Sequence, residues 1–298
     1  MIRFALSLIV LLGLTIGVTA FMPRAWLAEP ISQEPRSMMG SGFVNDWPDV
    51  APGTYYWADY LDLVVEHPAE TNIIIWNHHT EAMSTAPSCL GTGYFPPPSI
   101  MALEEIGRTR VFYLCTKSSQ DPEKPFYAIQ RQEEILALVQ KFRDLGVPAE
   151  RIFLAGQSGG SCSSLFALGA APDAMNAGIL FAPACYGRVE GAQRRSGLLS
   201  DYASNVDQQM LAAERVTALL VAFEQDSWNK PAELAYMTDR WPDTRIFSPR
   251  CGANHGGAFH GCGLDKIEKE VRRYFLGQLL AKGVALPQGV TLPSKDAN

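Results

Sequence analysis

Short, unbroken apolar runs alternate with longer amphipathic stretches along most of the chain. The runs are rich in Ile, Val, Leu and Phe, and they lie at Tyr60–Val65, Asn72–Trp76, Arg110–Cys115, Arg151–Ala155, Gly178–Phe181, Ala218–Phe223 and Thr244–Phe247. A strand that is covered by helices on both faces carries a continuous apolar run instead of an alternating one. These segments are therefore predicted to be strands of a mostly parallel sheet.

Amphipathic stretches between the runs predict helices that flank this sheet. In Tyr127–Leu145 the apolar residues recur on one stripe, and Gly146 followed by Pro148 is a stop signal. Further helices are expected at Pro98–Ile106, Ser161–Ala170, Asp201–Glu214 and Leu264–Lys282. Strands that alternate with helices in this way are typical of a single α/β domain with a mostly parallel central sheet.

The first residues follow a different pattern. The segment Phe4–Phe21 contains no charged residue, Arg3 precedes it, and Val18-Thr19-Ala20 ends it with short side chains. This arrangement predicts a secretory signal peptide over residues 1–20 and a secreted or periplasmic protein. An uncleaved anchor is the alternative, because an uncharged, mostly apolar segment of 18 residues is just long enough to cross a bilayer. The protein would then be membrane-anchored and face outside the cytoplasm.

Composition constrains the rest of the chain. A length of 298 residues with 47% hydrophobic residues fits one large globular domain or at most two small ones, and it excludes a disordered chain. We expect a lead-in over residues 21–50, the α/β domain over 51–285 and a tail over 286–298. The net charge is −6, and no basic cluster occurs beyond the pairs Arg194-Arg195 and Arg272-Arg273. A nucleic-acid partner is therefore not expected.

Six cysteines are scattered through the sequence. They are too few for a fold built on disulfides, and the absence of a Cys-x-x-Cys pair argues against a structural zinc site. Cys251 and Cys262 flank a loop rich in Gly and His, and a disulfide between them is expected. Cys115 lies in an apolar run and is expected to be a buried small hydrophobic residue.

The strongest chemical signal is Gly156-Gln-Ser158-Gly-Gly160, which follows an apolar strand and precedes a helix of small residues. That context is typical of a nucleophile elbow, whereas a plain Gly/Ser turn is the alternative. An abrupt strand-to-helix turn strains the central residue, and only glycine on both sides leaves room for the crossing chain. Ser158 is therefore the predicted nucleophile.

A serine hydroxyl needs a histidine base that is held by a carboxylate, and in this architecture both come after the serine along the chain. Only His255 and His260 come after Ser158, and His255 is preferred because it lies closer to the preceding strand. Asp226 comes after the strand Ala218–Phe223 and is the predicted carboxylate, with Glu224 as the alternative.

Backbone N–H groups should stabilise the oxyanion of such a reaction. One donor is expected at Gly159, and the second at His79 or Thr80 in the turn after an early strand. The pair His78-His79 lacks the acidic neighbours of a zinc motif, so neither a metal nor an organic cofactor is expected.

In order, the His78-His79 turn, Gly-Gln-Ser-Gly-Gly, the Glu-x-Asp226 strand end and the His255 loop resemble the α/β-hydrolase superfamily. The likeness covers Tyr55–Leu280 and is greatest to its esterase and dienelactone-hydrolase-like group. It implies the α/β-hydrolase fold and a serine hydrolase that cleaves a small-molecule ester through an acyl-enzyme. A peptidase or amidase with the same triad, or an inactive binding protein, is the alternative.

This sequence departs from the group at two places. His78-His79 stands where the group has His-Gly, and Ser158 stands where dienelactone hydrolases proper have a cysteine. The dienelactone reaction is therefore not implied.

Overall fold

The computed structural model describes residues 41–46, 63–79, 95–116, 127–185, 206–261 and 263–294, and a seven-stranded sheet runs through them. All of these residues belong to the compact unit Arg36–Asn298. The strands are β1 (Gly42–Phe43), β2 (Asn72–Asn77), β3 (Thr109–Leu114), β4 (Ile152–Gln157), β5 (Ala177–Phe181), β6 (Ala218–Val221) and β7 (Thr244–Phe247).

The spatial order of the strands is β1-β3-β2-β4-β5-β6-β7, and all neighbours are parallel except β1 and β3. The chain passes from β2 to β3 on one side and then returns to place β4 on the other side of β2. A reversal of this kind opens a crevice at the carboxyl ends of the two strands. In the register, Asn77 at the end of β2 lies opposite Gly156 of β4.

Six helices are described around the sheet. They are α1 (Pro98–Met101), α2 (Tyr127–Asp144), α3 (Gly159–Ala170), α4 (residues 206–212), α5 (Ala235–Arg240) and α6 (Leu264–Ala281). Short 3-10 turns lie at Val44–Asp46, Ala102–Glu105, Ala149–Arg151 and Pro231–Leu234.

Two apolar cores lie on opposite faces of the sheet, because successive strand residues point to opposite sides. On one face, Leu154 of β4 packs in a core with Phe142 of α2 and residues of α3. On the other face, Phe153 packs against Phe275 of α6, with ring centroids 4.7 Å apart. The predicted α/β class with a mostly parallel, helix-flanked sheet is confirmed.

The predicted strand Tyr60–Val65 is wrong where it can be compared. Residues 63–65 are not in a strand, Val64 is 75% exposed, and residues 60–62 lie outside the described part of the chain. The chain turns directly afterwards, where the Thr71 hydroxyl oxygen lies 2.7 Å from the Glu66 carbonyl oxygen and 3.0 Å from that of His67, within hydrogen-bond distance of both. The strand at this edge of the sheet, beside β3, is instead β1, which is too short to produce an apolar run.

The helix expected at Asp201–Glu214 is described only from residue 206 and ends at residue 212. The segments predicted as signal peptide and as most of the lead-in lie outside the described residues, so the domain boundaries stay predictions. No helix of the described residues has both the length and the hydropathy that crossing a bilayer requires.

The cysteines form more bonds than the sequence suggested. Cys162 of α3 and Cys185 are joined in a disulfide that sequence reasoning missed. Cys115 is buried, as expected, but it is also disulfide-bonded, which the sequence analysis did not predict. Cys251 is also disulfide-bonded. Because Cys262 lies outside the described residues, the pairing of Cys251 with it stays a prediction.

Candidate active site

Ser158 occupies the abrupt turn between β4 and α3. Its φ of 57° and ψ of −120° are strained for a residue with a side chain. A Cβ at Gly156 would lie 2.7 Å from the Gly160 carbonyl carbon, and one at Gly160 would lie 2.1 Å from the Asn77 carbonyl oxygen. Both glycines are therefore required by close backbone approach.

The turn is also tied to the end of β5. The Ser158 N–H donates to the Phe181 carbonyl oxygen at 3.0 Å. The Ser161 hydroxyl lies within hydrogen-bond distance of that oxygen at 2.8 Å and of the Gly156 carbonyl oxygen at 2.7 Å. One turn along α3, the disulfide from Cys162 reaches the segment after β5. These contacts leave the Ser158 side chain half-buried at a rigid corner.

Three side chains from separate parts of the chain form a line beside this corner. His255 Nε2 lies 2.8 Å from Ser158 Oγ. His255 Nδ1 lies 2.9 and 3.0 Å from the two carboxylate oxygens of Asp226. Asp226 is fully buried, whereas the His255 side chain is 24% exposed. This geometry lets an imidazole accept the serine proton while a carboxylate orients it.

The Asp226 carboxylate is held by its own loop. Its Oδ1 accepts the backbone N–H of Trp228 at 2.7 Å. The indole ring of Trp228 lies 5.7 Å from the His255 ring, centroid to centroid, and is half-buried. The loop after β6 therefore orients the carboxylate and covers part of the imidazole.

The two alternative residues lie elsewhere. His260 is exposed and its ring lies close to Gly256. The Glu224 carboxylate is exposed and accepts the Gly252 N–H at 3.0 Å, with the Ser248 hydroxyl at 3.5 Å. Of each pair of candidates, the structure thus brings His255 and Asp226 to Ser158.

The predicted oxyanion donors lie on two elements that touch. Gly159 is the first residue of α3, where backbone N–H groups lack acceptors inside the helix. His79 comes after β2 and is half-buried, and the close approach of Gly160 to Asn77 brings this turn against α3. Thr80 lies outside the described residues. Among the described residues, no three His, Cys, Asp or Glu side chains are grouped to hold a metal ion.

His78 is fully buried and neutral, whereas its neighbour His79 is half-buried. Burial, with a smaller contribution from the Arg131 guanidinium, holds its pKa well below the ordinary value. The ring stacks on Tyr113, with centroids 5.7 Å apart. Its backbone carbonyl oxygen accepts a hydrogen bond from Arg131 Nη1 at 2.5 Å.

Sequence reasoning missed two residues that support this site: Arg131 and Gln157. Arg131 could have been noticed because it interrupts the apolar stripe of α2, four residues before Ile135. Gln157 donates to the His255 carbonyl oxygen at 3.1 Å, a contact that no local pattern indicates.

No protein-family description and no curated protein sequence matches this chain. Solved structures do resemble it. Est1E from Butyrivibrio proteoclasticus, bound to ferulic acid, is 17% identical over 72% of this chain and 92% of its own, with a TM-score of 0.54. Esterase Est2 from Thermogutta terrifontis is 15% identical over 76% of this chain and 87% of its own, with a TM-score of 0.51.

Puromycin hydrolase is 13% identical, with a TM-score of 0.53, and the match covers 76% of this chain but only 36% of that protein. Sequence identities this low are evidence for a shared fold alone. Together with the strand order and the Ser158 turn, these likenesses show that the chain has the α/β-hydrolase fold.

Proposed function

We propose that the protein is a serine hydrolase that cleaves a small-molecule ester through an acyl-enzyme. The observation that carries this proposal is the continuous line from Ser158 Oγ to His255 Nε2 at 2.8 Å and from His255 Nδ1 to Asp226 at 2.9 Å. Ser158 and His255 are 97 positions apart along the chain, and they meet at hydrogen-bond distance near the crevice where α/β sheets bind ligands.

In the acylation step, His255 Nε2 takes the proton of the Ser158 hydroxyl as the oxygen attacks the ester carbonyl carbon. The carbonyl π electrons move to the oxygen, and the resulting oxyanion accepts hydrogen bonds from the Gly159 N–H and from the turn at His79 and Thr80. When the tetrahedral intermediate collapses, the imidazolium gives its proton to the departing alkoxide. An alcohol leaves and the acyl group stays on Ser158.

Deacylation repeats these steps with water. His255 takes a proton from the water as it attacks the acyl carbon, and then returns the proton to Ser158 as the acid is released. Asp226 accepts the Nδ1–H throughout, which keeps Nε2 free to act as the base and stabilises the imidazolium.

Two structural neighbours are esterases by name, which favours an ester over an amide substrate. Puromycin hydrolase, a further neighbour, is not named as an esterase, and an amide, cleaved with the same triad, is the second candidate substrate. Rates on an ester and an amide of the same acyl group separate the two, because only amide cleavage needs the imidazolium to protonate a poor amine leaving group.

The disulfide chemistry supports a location outside the cytoplasm. Cys115, Cys162, Cys185 and Cys251 are all disulfide-bonded. Such bonds persist in oxidising compartments, and with the apolar leader they favour a secreted or periplasmic protein. A membrane-anchored form that faces the same compartment is the alternative.

The decisive experiment combines Ser158→Ala with labelling by a fluorophosphonate probe. Wild-type protein should hydrolyse p-nitrophenyl acetate and be labelled on Ser158, whereas the variant should do neither and keep its circular dichroism spectrum. Ser227→Ala, an exposed serine beside Asp226, is the control and should behave as wild type. Wild-type turnover in Ser158→Ala, or a wild-type protein that stays unlabelled and inactive, refutes the proposal and favours an inactive binding protein.

A further inference from the structure

A fully buried arginine lies behind the turn after β2. Arg131 is on α2 and is 0% exposed, among the core residues of that helix. Its Nη1 donates a hydrogen bond to the backbone carbonyl oxygen of His78 at 2.5 Å. Because a guanidinium is costly to bury, its presence in the core points to a positional requirement at the group it contacts.

The peptide that joins His78 to His79 is held on several sides. A Cβ at Gly160 would lie 2.4 Å from the His78 carbonyl oxygen, so the start of α3 packs directly against that oxygen. The stacked His78 ring places Nδ1 2.6 Å from the His79 carbonyl oxygen, which belongs to the next peptide and restrains that one too. Because Arg131 and the start of α3 both contact the His78 carbonyl oxygen, the His78–His79 peptide has little freedom to rotate.

The direction of the carbonyl determines the direction of the N–H. No peptide bond of the described residues is cis, and in a trans peptide the C=O and N–H groups point opposite ways. Since the His78 carbonyl faces α2 and α3, the His79 N–H is directed away from both helices. Asn77 at the end of β2 pairs with Gly156 of β4, so the turn that contains His79 and the turn that contains Ser158 begin at neighbouring strand ends.

We propose that Arg131 positions and polarises the His79 N–H as the second oxyanion donor. This inference rests on the proposed function. A cation that hydrogen-bonds a carbonyl oxygen draws electron density from that amide and strengthens its N–H as a donor. The stronger hydrogen bond matters most when negative charge develops on the substrate oxygen. Arg131 therefore stabilises the transition state more than it stabilises the bound substrate. It contacts no substrate and is a positioning residue.

The test replaces Arg131 with Met, which keeps much of the bulk and removes the donors. We expect kcat on p-nitrophenyl acetate to fall about 10- to 100-fold, with KM within about twofold of wild type. Affinity for a boronic acid that forms a tetrahedral adduct on Ser158 should fall by a similar factor. Arg131→Lys should recover much of this loss, since an ammonium group also donates to the carbonyl. Arg143→Met, exposed on the same helix, is the control and should match wild type.

Folded Arg131→Met with wild-type kcat and boronate affinity overturns the inference, as does an equal loss in the Lys variant. If the Met variant does not fold, Arg131→Leu, which also lacks a donor, replaces it, and wild-type kcat in that variant overturns the inference in the same way. Fluorophosphonate labelling of wild-type Ser158 distinguishes a failure of the hydrolase proposal from a failure of the Arg131 proposal. Its absence refutes the hydrolase proposal itself, whereas labelling with unchanged kcat in the Arg131 variants refutes only the role of Arg131.

Discussion

The side-chain amide of Gln157 donates a hydrogen bond to the backbone carbonyl oxygen of His255 across 3.1 Å. Gln157 directly precedes Ser158 and is 4% exposed. The residue before the proposed nucleophile therefore holds the backbone of His255, the residue that carries the imidazole. A second contact supports the same loop, since the Gln225 N–H donates to the Ala253 carbonyl oxygen at 3.1 Å. The distance between Ser158 and His255 therefore depends on backbone contacts as well as on the side chains.

Replacing Gln157 by Ala should loosen the His255 loop and lower kcat by about tenfold, because small displacements of a general base are costly to proton transfer. Steady-state kinetics on p-nitrophenyl acetate measure this effect. Gln225→Ala is the control, since Gln225 supports the loop through its backbone N–H, and it should retain wild-type kcat. An unchanged kcat in Gln157→Ala would show that the loop does not need this contact.

Asp226→Asn should lower kcat by about 10⁴-fold, because an amide in place of the carboxylate favours the wrong imidazole tautomer. Glu224→Gln should stay within about threefold of wild type, because this carboxylate contacts the Gly252 N–H and not the imidazole. Parallel kcat measurements compare the two acids. A larger loss in the Glu224 variant would reverse their assignment.

Gly160→Ala should destabilise the protein by about 3 kcal/mol, because its Cβ would meet backbone atoms that cannot move aside. The same change at Gly277 on α6 meets nothing within 4 Å and should stabilise by about 0.5–1 kcal/mol, as usual for a helix interior. Urea unfolding of both variants measures the difference. Equal stabilities would contradict the close approach of α3 to β2.

Removing the Cys162–Cys185 disulfide as a double Ala variant should lower the free energy of unfolding by about 3 kcal/mol. The bond closes a loop with a sequence separation of 23, and closing such a loop restricts the unfolded chain by about this amount. Urea unfolding without reductant measures the loss. A wild-type midpoint would mean that the bond contributes nothing to stability.

Tyr274→Phe should change how stability depends on pH. Burial raises the pKa of the Tyr274 hydroxyl well above its ordinary value of 10.0. The folded protein therefore keeps this proton at pH values where the unfolded chain releases it. The free energy of unfolding should fall above pH 10, by about 1.4 kcal/mol per pH unit from this group, and the variant should lose that part of the slope.

Near neutral pH the Phe variant should be as stable as wild type or slightly more stable. Among the described residues the Tyr274 hydroxyl is buried with no hydrogen-bond partner, so its removal loses no hydrogen bond. Denaturant unfolding between pH 7 and about pH 11 tests both effects, with the exposed Tyr236→Phe as control. An identical slope in wild type and Tyr274→Phe would show that Tyr274 ionises in the folded state as easily as in the unfolded chain.

The sequence by itself determined the layered α/β fold and the turn at Ser158. Apolar runs predicted β2 through β7 because hydrophobic periodicity is a property of neighbouring residues. The two glycines around Ser158 indicated a close chain crossing because only a residue without Cβ tolerates it. A Cβ at Gly160 would lie 2.1 Å from the Asn77 carbonyl oxygen. The order of residues along the chain left two candidates for the histidine, His255 and His260, and two for the carboxylate, Asp226 and Glu224.

Tertiary structure alone decided between those candidates. His255 and Ser158 are 97 positions apart, and whether His255 or His260 faces the serine depends on how a loop turns above the sheet. The disulfide of Cys162, the edge strand β1 and the contact of Arg131 with His78 are likewise long-range pairings. Local propensity contains no term for such contacts, which arise only when strand order and register bring distant segments together.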